Sequence, residues 1–267
     1  MEINNINGST QFFAILGDPI IQTSTPGLIN TIFSEKQHNK VLIPIHSDSK
    51  SLKEVVLGLQ KIKNFKGAVI TMPHKAAIVP YLDKMSEEVV QSQACNVIRR
   101  SENGELHGHM LDGEGFVSGL IQQGHEVRNK NIFLIGAGGA ATGIAFSLCK
   151  NGVNILKIYN RSKRKAEILK GKIDQYFPHK NIELSDEPDE KTDILINATS
   201  LGMNLTDKPP ISIDRITSDT LVAEVIIKPE MTSTLIEAQK KGCQIHQGIH
   251  MLKAQLRLML DFMDGVK

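Results

Sequence analysis

The sequence predicts an α/β protein of two domains, and three observations carry that prediction. Short apolar runs alternate with amphipathic stretches along the chain, the pattern of βα units and parallel sheets. A glycine-rich turn, Gly136 to Ala141, joins one such run to one such stretch, where a fresh βαβ pattern begins. The 267 residues are 40% hydrophobic and 22% charged, enough to bury one large core or two modest ones.

Each element follows from its local pattern. Phe12 to Leu16 reads as a strand that ends at Gly17-Asp18-Pro19. Pro26 to Ser34 reads as a helix with proline in its first turn, where a missing N–H costs nothing. Val41 to Ile45 is a strand, and Leu52 to Ile62 a helix with Leu52, Val55, Val56 and Leu59 on one face. Ala68 to Thr71 is a strand stopped by Pro73. Asn103-Gly104 marks a hairpin with a two-residue turn. Gly113 to Gln123 is helical. Ile132 to Ile135 is a strand, followed by the glycine turn and a helix to Cys149. Ile155 to Tyr159, Asp193 to Asn197 and Leu221 to Val225 are further strands. Arg164 to Tyr176, Ser233 to Lys241 and Met251 to Met263 are further helices.

Charge and composition exclude several classes. Lys and Arg number 31 against 29 acids, a net charge of +2 that gives no field to hold nucleic acid or an anionic membrane. Aromatics are 4% and tryptophan is absent, so no base-stacking platform is evident. Cys95, Cys149 and Cys243 are few, scattered and odd in number. They fit neither a disulfide framework nor a zinc cluster, and they suit a reducing cytoplasm. Met1 to Gln11 is polar and lacks the pattern of a secretory leader. No apolar run approaches the roughly 18 residues of a membrane span.

Gly136-x-Gly138-x-x-Ala141 has the context a dinucleotide fingerprint needs, a strand before it and a helix after. Gly136 permits the tight turn and Gly138 the approach of a pyrophosphate, with Ala137, Gly139 and Ala140 between them and Ala141. Ala141 keeps helix and strand close. The helix N-terminus then faces the phosphates. At the end of the next strand an NAD-binding site usually carries an acid for the ribose 2′-hydroxyl. Here stands Asn160-Arg161-Ser162-Lys163-Arg164-Lys165, with four cations and no acid. Cations at a helix start oppose its dipole, and a bound 2′-phosphate would reverse that cost. The segment therefore favours NADP, the alternative being a solvated basic helix face.

Three loops carry polar groups suited to a small anionic substrate. Thr23, Ser24 and Thr25 precede a helix and offer hydroxyls to a carboxylate, or Thr25 merely caps that helix. Thr71-Met72-Pro73-His74-Lys75 sets a lysine just beyond a strand end. Cys95-Asn96 and Asp112-Gly113 complete the set. His107-x-His109 and His246-x-x-x-His250 would be the sole support for a metal hydrolase, and they read instead as surface histidines of an edge strand and a helix start.

Together these segments resemble the shikimate dehydrogenase family, which includes quinate/shikimate dehydrogenases. Thr71 to Lys75, Ala94-Cys95-Asn96, Asp112-Gly113, Gly136 to Ala141, Asn160-Arg161-Ser162, Asn197 to Met203, and Gly248 through Met251-Leu252 to Gln255 carry the resemblance in order over nearly the whole chain. It implies an N-terminal α/β substrate-binding domain (1–113), a Rossmann-like NADP-binding domain (114–240) and a C-terminal segment returning to the substrate domain (241–267), with a cleft between the domains. It implies reversible NADPH-dependent reduction of 3-dehydroshikimate to shikimate, in the biosynthesis of aromatic amino acids. Lys75 and Asp112 match the catalytic pair. Thr23 and Thr25 match two serines on the substrate carboxylate, and Thr71, Asn96, Asp112 and Gln255 match residues on the ring hydroxyls. Asn197, Thr199, Ser200, Met203 and Gly248 join Gly136 to Ala141, Asn160, Arg161, Ser162 and Lys165 in the cofactor set; no metal is implied. A cytoplasmic monomer or homodimer with a small-molecule substrate is the expected setting.

The chain departs from the family pattern in places. Met110-Leu111 stands where the family usually has Asn-Thr, Ile227 where it has Tyr, and threonines where it has the two serines. A site that recognises hydroxyls discriminates through such hydrogen bonds. Quinate or another polyhydroxylated cyclic acid is therefore an alternative substrate, and a non-catalytic NADP-binding sensor a further alternative.

Overall fold

The computed structural model describes residues 6–204 and 206–266, so Met1 to Asn5 of the polar N-terminal stretch lie outside it. The chain divides into two compact units, one of residues 1–111 with 256–267 and one of residues 112–255.

The first unit is organised on a six-stranded sheet. Its strands are β1 (Gln11–Gly17), β2 (Lys40–His46), β3 (Phe65–Ile70), β4 (Lys84–Met85), β5 (Val97–Arg100) and β6 (Leu106–His109), in spatial order β2-β1-β3-β5-β6-β4. β1 runs parallel to β2 and β3, whereas β5 is antiparallel to both β3 and β6. The parallel strands are joined by α1 (Thr25–Glu35) and α2 (Leu52–Lys61), and α3 (His74–Ala77) and α4 (Glu87–Ser92) follow β3 and β4. Ala14, Leu16, Leu52, Val56, Phe65, Ala68 and Ile70 share one core, so the apolar faces of α2 and the central strands meet there. Asn30 of α1 is locked onto β2 by accepting the Leu42 N–H and donating to its carbonyl.

The short elements α3, β4 and α4 carry too few residues for a periodic signal, and the sequence reading leaves them as loop. The hairpin also differs from expectation. Ser101 and Glu105 close a three-residue connection in which Gly104 alone takes a positive φ, 90°. A two-residue type I′ turn needs both central residues at positive φ, and Asn103 does not adopt it. β6 lies between β5 and β4, so His107 and His109 are not on an edge strand.

The second unit is a doubly wound parallel sheet. Its strands are β7 (Asn131–Ile135), β8 (Ile155–Tyr159), β9 (Asn181–Leu184), β10 (Ile194–Asn197), β11 (Leu221–Glu224) and β12 (Gln244–His246), in the order β12-β11-β10-β7-β8-β9. Every pairing is parallel. The helices are α5 (Asp112–Gln122), α6 (Gly139–Lys150), α7 (Lys163–Tyr176), α8 (Ser233–Lys240) and α9 (Gly248–Met263), which continues into the first unit after Gln255. One core, including Ile132, Leu134, Ile144, Leu148 and Ile196, lies on one sheet face; Phe133, Leu195, Val222 and Leu235 form a second on the other. That two-sided burial explains why these strands read as continuous apolar runs. β9 and β12, at the sheet edges, escaped the sequence reading.

Helix α5 approaches α6 closely because its second residue is a glycine. A Cβ on Gly113 would lie 2.0 Å from the Gly143 carbonyl oxygen, a backbone atom with nowhere to go. Gly171 in α7 has no atom within 4 Å of such a Cβ. Replacing either glycine by alanine gains about 1 kcal/mol of helix propensity. Overpacking costs about 1–3 kcal/mol and wins only where the space is filled. Gly113→Ala is therefore expected to lower the denaturant midpoint and Gly171→Ala to raise it, as measured by urea unfolding.

Candidate functional site

In the first unit, the C-terminal ends of β1 and β3 and the N-terminal end of the antiparallel β5 gather the substrate candidates. The Thr71 N–H donates to the Leu16 carbonyl and the Asp18 N–H to the Met72 carbonyl, tying the turn after β3 to the end of β1. Gly17 makes this approach possible, since a Cβ there would lie 2.5 Å from the Thr71 methyl. His74 is fully buried and its Nε2 donates to the Ser47 carbonyl at 2.6 Å. Lys75 follows on α3, half-buried, and its carbonyl accepts the Cys95 N–H at 2.7 Å. The neighbouring Asn96 is buried, and its Oδ1 accepts the Leu111 N–H. Thr71, Lys75 and Asn96 are thus brought to one end of one sheet by backbone ties.

Thr23 is half-buried before α1, and Thr25 is the buried first residue of that helix. Ser24, not Thr25, occupies the N-cap position, and no side chain caps the helix. Both threonine hydroxyls therefore stand outside the capping role that was the alternative for Thr25. Met110 and Leu111, the departures from the family pattern, are buried, Met110 in the core beside Leu106 and Ala94.

In the second unit, Asp112 and Gln255, 143 positions apart, meet. Asp112 is the buried first residue of α5, and Gln255 Nε2 donates to its Oδ1 at 2.9 Å. Gly115 makes room for that contact, because its Cβ would fall 2.0 Å from the Gln255 side chain. The helix start favours the carboxylate at Asp112.

The sheet of this unit reverses its winding between β7 and β10, and loops after those strands open the crevice where such sheets bind ligands. Gly136 follows β7 with φ of 122°, and a Cβ there would sit 3.0 Å from the Ala198 carbonyl oxygen. Gly138 is the N-cap of α6, whose first internal hydrogen bond runs from the Thr142 N–H to the Gly138 carbonyl. The N–H groups of Gly139, Ala140 and Ala141 precede it and have no acceptor within the helix. Ala137 and Ala140 are half-buried, and Ala141 is fully buried against the sheet, the close packing expected of the motif's last position. Backbone donors on a bare glycine turn fit a pyrophosphate.

After β8, Asn160 Nδ2 donates to the Ser162 carbonyl and shapes the turn into α7. Arg161, Ser162 and Lys165 are exposed, no acid lies in the first turn, and Lys163 pairs with Asp186 at 3.2 Å. After β10, Asn197 is fully buried, Thr199 half-buried, and Ser200 and Met203 exposed. The Gly202 and Asn204 N–H groups donate to Asp207, which holds that carboxyl below its usual range. Gly248 starts α9, and a Cβ there would lie 2.3 Å from the Ile226 carbonyl oxygen. Close packing of α9 against the segment after β11 thus already requires a glycine.

The histidine pairs take other roles. His107 contacts Glu105 and Arg99, and His109 meets the Phe262 ring edge-on. His246 is not at the surface: it is 1% exposed, packed against Phe116, His125 and His250 with ring centroids 5.0–5.9 Å away. β12 ends where α9 begins, and that corner closes over the ring. Among the described residues, no group of three His, Cys, Asp or Glu side chains is arranged to hold a metal.

Burial, then His250 and His125, push the His246 pKa down to about 4. A pKa below the unfolded value means that the unfolded chain takes up the proton first. The neutral ring therefore contributes stability in full above about pH 6.5, and that contribution is lost as pH falls toward 4. His246→Leu is expected to flatten the acid side of the stability curve, read as a smaller fall in melting temperature between pH 6.5 and 4.5 than in the parent.

Comparison with known proteins adds independent findings. Residues 15–98 match the family model for the shikimate dehydrogenase substrate binding domain, and residues 120–240 match that for shikimate / quinate 5-dehydrogenase. A shikimate dehydrogenase (NADP(+)) of Methanococcus aeolicus is 35% identical over 98% of this chain and 95% of its own. A crystal structure of a shikimate dehydrogenase in complex with NADP+ superposes with a TM-score of 0.93 at 30% identity, covering 100% of this chain and 94% of that one. The ligand-free 5-ketofructose reductase of Gluconobacter sp. strain CHM43 superposes at 0.86 with 28% identity over 96% of this chain and 93% of that one.

Proposed function

This chain belongs to the shikimate dehydrogenase family, and from that premise we propose that it catalyses the reversible NADP-dependent reduction of 3-dehydroshikimate to shikimate. The observation that carries this reading is the retention of both Lys75 and Asp112 in a chain related over 98% of its length to an enzyme of that name. Residues 1–113 and 241–267 are assigned to substrate and residues 114–240 to cofactor.

When bound, NADPH supplies the hydride that converts the ring ketone to an alcohol. The bare turn from Gly136 to Ala141 and the first N–H groups of α6 would hold its pyrophosphate, with the loop from Asn197 through Thr199, Ser200 and Met203, and Gly248, alongside. Asn160, Arg161, Ser162 and Lys165 would hold the ribose 2′-phosphate, the guanidinium as a fork for two phosphate oxygens.

Lys75 donates a proton to the oxygen that gains negative charge and places a positive charge beside it. The Asp112 carboxylate, with Gln255 fixed on its Oδ1, accepts from a ring hydroxyl. Thr71 and Asn96 hold further hydroxyls. Thr23 and Thr25 donate to the carboxylate. Such a ladder fixes one face of the ring toward the cofactor.

A second reading is favoured by the buried apolar pair Met110 and Leu111 and by Ile227, which remove hydrogen-bonding groups found in the family. It keeps the reaction and changes the substrate to quinate or another polyhydroxylated cyclic acid. The setting proposed is a cytoplasmic monomer or homodimer without nucleic-acid or membrane partners. No helix among the described residues is long and apolar enough to cross a membrane.

NADP+ reduction followed by absorbance, with shikimate and then with quinate, separates the two readings; turnover with neither would sink both. Lys75→Ala is expected to lower kcat at least about 100-fold, the range of general acid–base catalysis, while NADPH affinity measured by fluorescence stays within about twofold. Arg161→Ala is expected to raise KM for NADP+ roughly tenfold or more, since each charge-assisted hydrogen bond is worth about 1.5–3 kcal/mol, and to leave KM for NAD+ nearly unchanged. An equal rise for both cofactors would remove Arg161 from the 2′-phosphate.

A further inference from the structure

Glu224 ends the apolar strand β11 and is fully buried, a costly place for a carboxyl group. Glu224 is not among the residues proposed to touch substrate or cofactor. Its Oε1 accepts two hydrogen bonds, from Asn197 Nδ2 at 3.0 Å and from the Thr232 hydroxyl at 2.8 Å. Its Oε2 makes no hydrogen bond of good geometry, although the Ile226 N–H and the Thr234 hydroxyl are near enough to favour the anion.

Asn197 heads the loop after β10, and its amide is saturated. Nδ2 donates to Glu224 and to the Leu201 carbonyl at 3.0 Å. Oδ1 accepts from the Thr199 N–H at 3.1 Å and the Thr199 hydroxyl at 2.7 Å. The Thr199 hydroxyl oxygen in turn accepts the Leu201 N–H. An amide can be turned over, exchanging its donor and acceptor ends. Glu224 and the Leu201 carbonyl, both acceptors, require the NH2 group on their side, and the Thr199 N–H requires the oxygen on the other. The loop tip rests on the same structure: Gly202, at φ of 112°, brings its backbone against Ile226 and Thr232, 3.2 Å from a built Cβ.

We propose that Glu224 is a positioning residue for the loop 197–203, acting through the amide of Asn197 to set the Thr199 and Leu201 backbone that faces the cofactor. The proposal rests on the placement of that loop along the cofactor in the reading above. Burial raises the Glu224 pKa to about 7, against the hydrogen bonds from Asn197 and Thr232 that favour the anion. A neutral carboxyl with its proton on Oε2 would still present Oε1 to both donors. Glutamine is therefore the fitting mimic, and leucine removes the acceptor at similar volume.

The test compares the full-length enzyme with Glu224→Gln and Glu224→Leu. Hydrogen exchange reports the Thr199 and Leu201 amides, and steady-state kinetics report KM for NADP+, KM for shikimate and kcat. In Glu224→Leu both amides are expected to exchange at least tenfold faster and KM for NADP+ to rise about tenfold, with KM for shikimate within twofold. Glu224→Gln is expected to stay within twofold of the parent in all of these. Unchanged amide exchange in Glu224→Leu would overturn the positioning role. Faster exchange with an unchanged KM for NADP+ would overturn the link to the cofactor, and with it the placement of the loop. Where Glu224→Leu fails to fold, Glu224→Gln decides: loss of the slow exchange despite a retained accepting oxygen would overturn the proposal.

Discussion

Three glycines on α5 govern how the second unit is assembled. Gly113 admits the backbone of Gly143 in α6, Gly115 admits the side chain of Gln255, and Gly119 admits the backbone at His250. A methyl group at any of them would push a neighbour away by more than van der Waals contact allows. The helix gives up propensity at each position, about 1 kcal/mol, and gains close packing on two sides. The same stripped surface seats Asp112 at the helix start with Gln255 on its carboxylate, so two polar residues far apart in the chain form one buried unit.

The parallel sheet builds the other half of the chemistry by a different constraint. Where winding reverses between β7 and β10, the loops diverge and leave backbone exposed at the strand ends. Gly136 and Ala198 then approach each other so closely that position 136, at positive φ in the turn after β7, tolerates no side chain. Phosphates suit that turn because the first amides of α6 lack partners inside the helix. The cations proposed for the phosphorylated ribose, Arg161 and Lys165, stand exposed where the next strand ends.

Two ionisable groups in this unit are buried against the usual preference, and burial favours the uncharged form of each. Burial lowers the His246 pKa to about 4 and raises that of Glu224 to about 7. Their effects on stability with pH run in opposite directions: acid weakens the fold through His246 and strengthens it through Glu224. A buried acid whose accepting oxygen orients an amide is a natural means to hold a loop still.

The sequence by itself determined the α/β class, the long strands and helices, the glycine fingerprint and its dinucleotide, and the identity of the family, because periodicity, turn chemistry and motif spacing are local properties. It also offered Lys75, Asp112 and Gln255 as candidate site residues, through resemblance alone. The short pieces α3, β4 and α4 and the edge strands β9 and β12 were not legible, since a few residues carry no period and edge strands lack the two-sided burial that writes an apolar run. Asn103-Gly104 suggested a tighter turn than the chain makes, and His246 suggested a surface ring. Tertiary structure alone decided those points, along with the Asp112–Gln255 contact and the partners of Glu224. Each depends on which distant groups share one small volume, and that follows from how whole elements pack, not from the order of neighbouring residues.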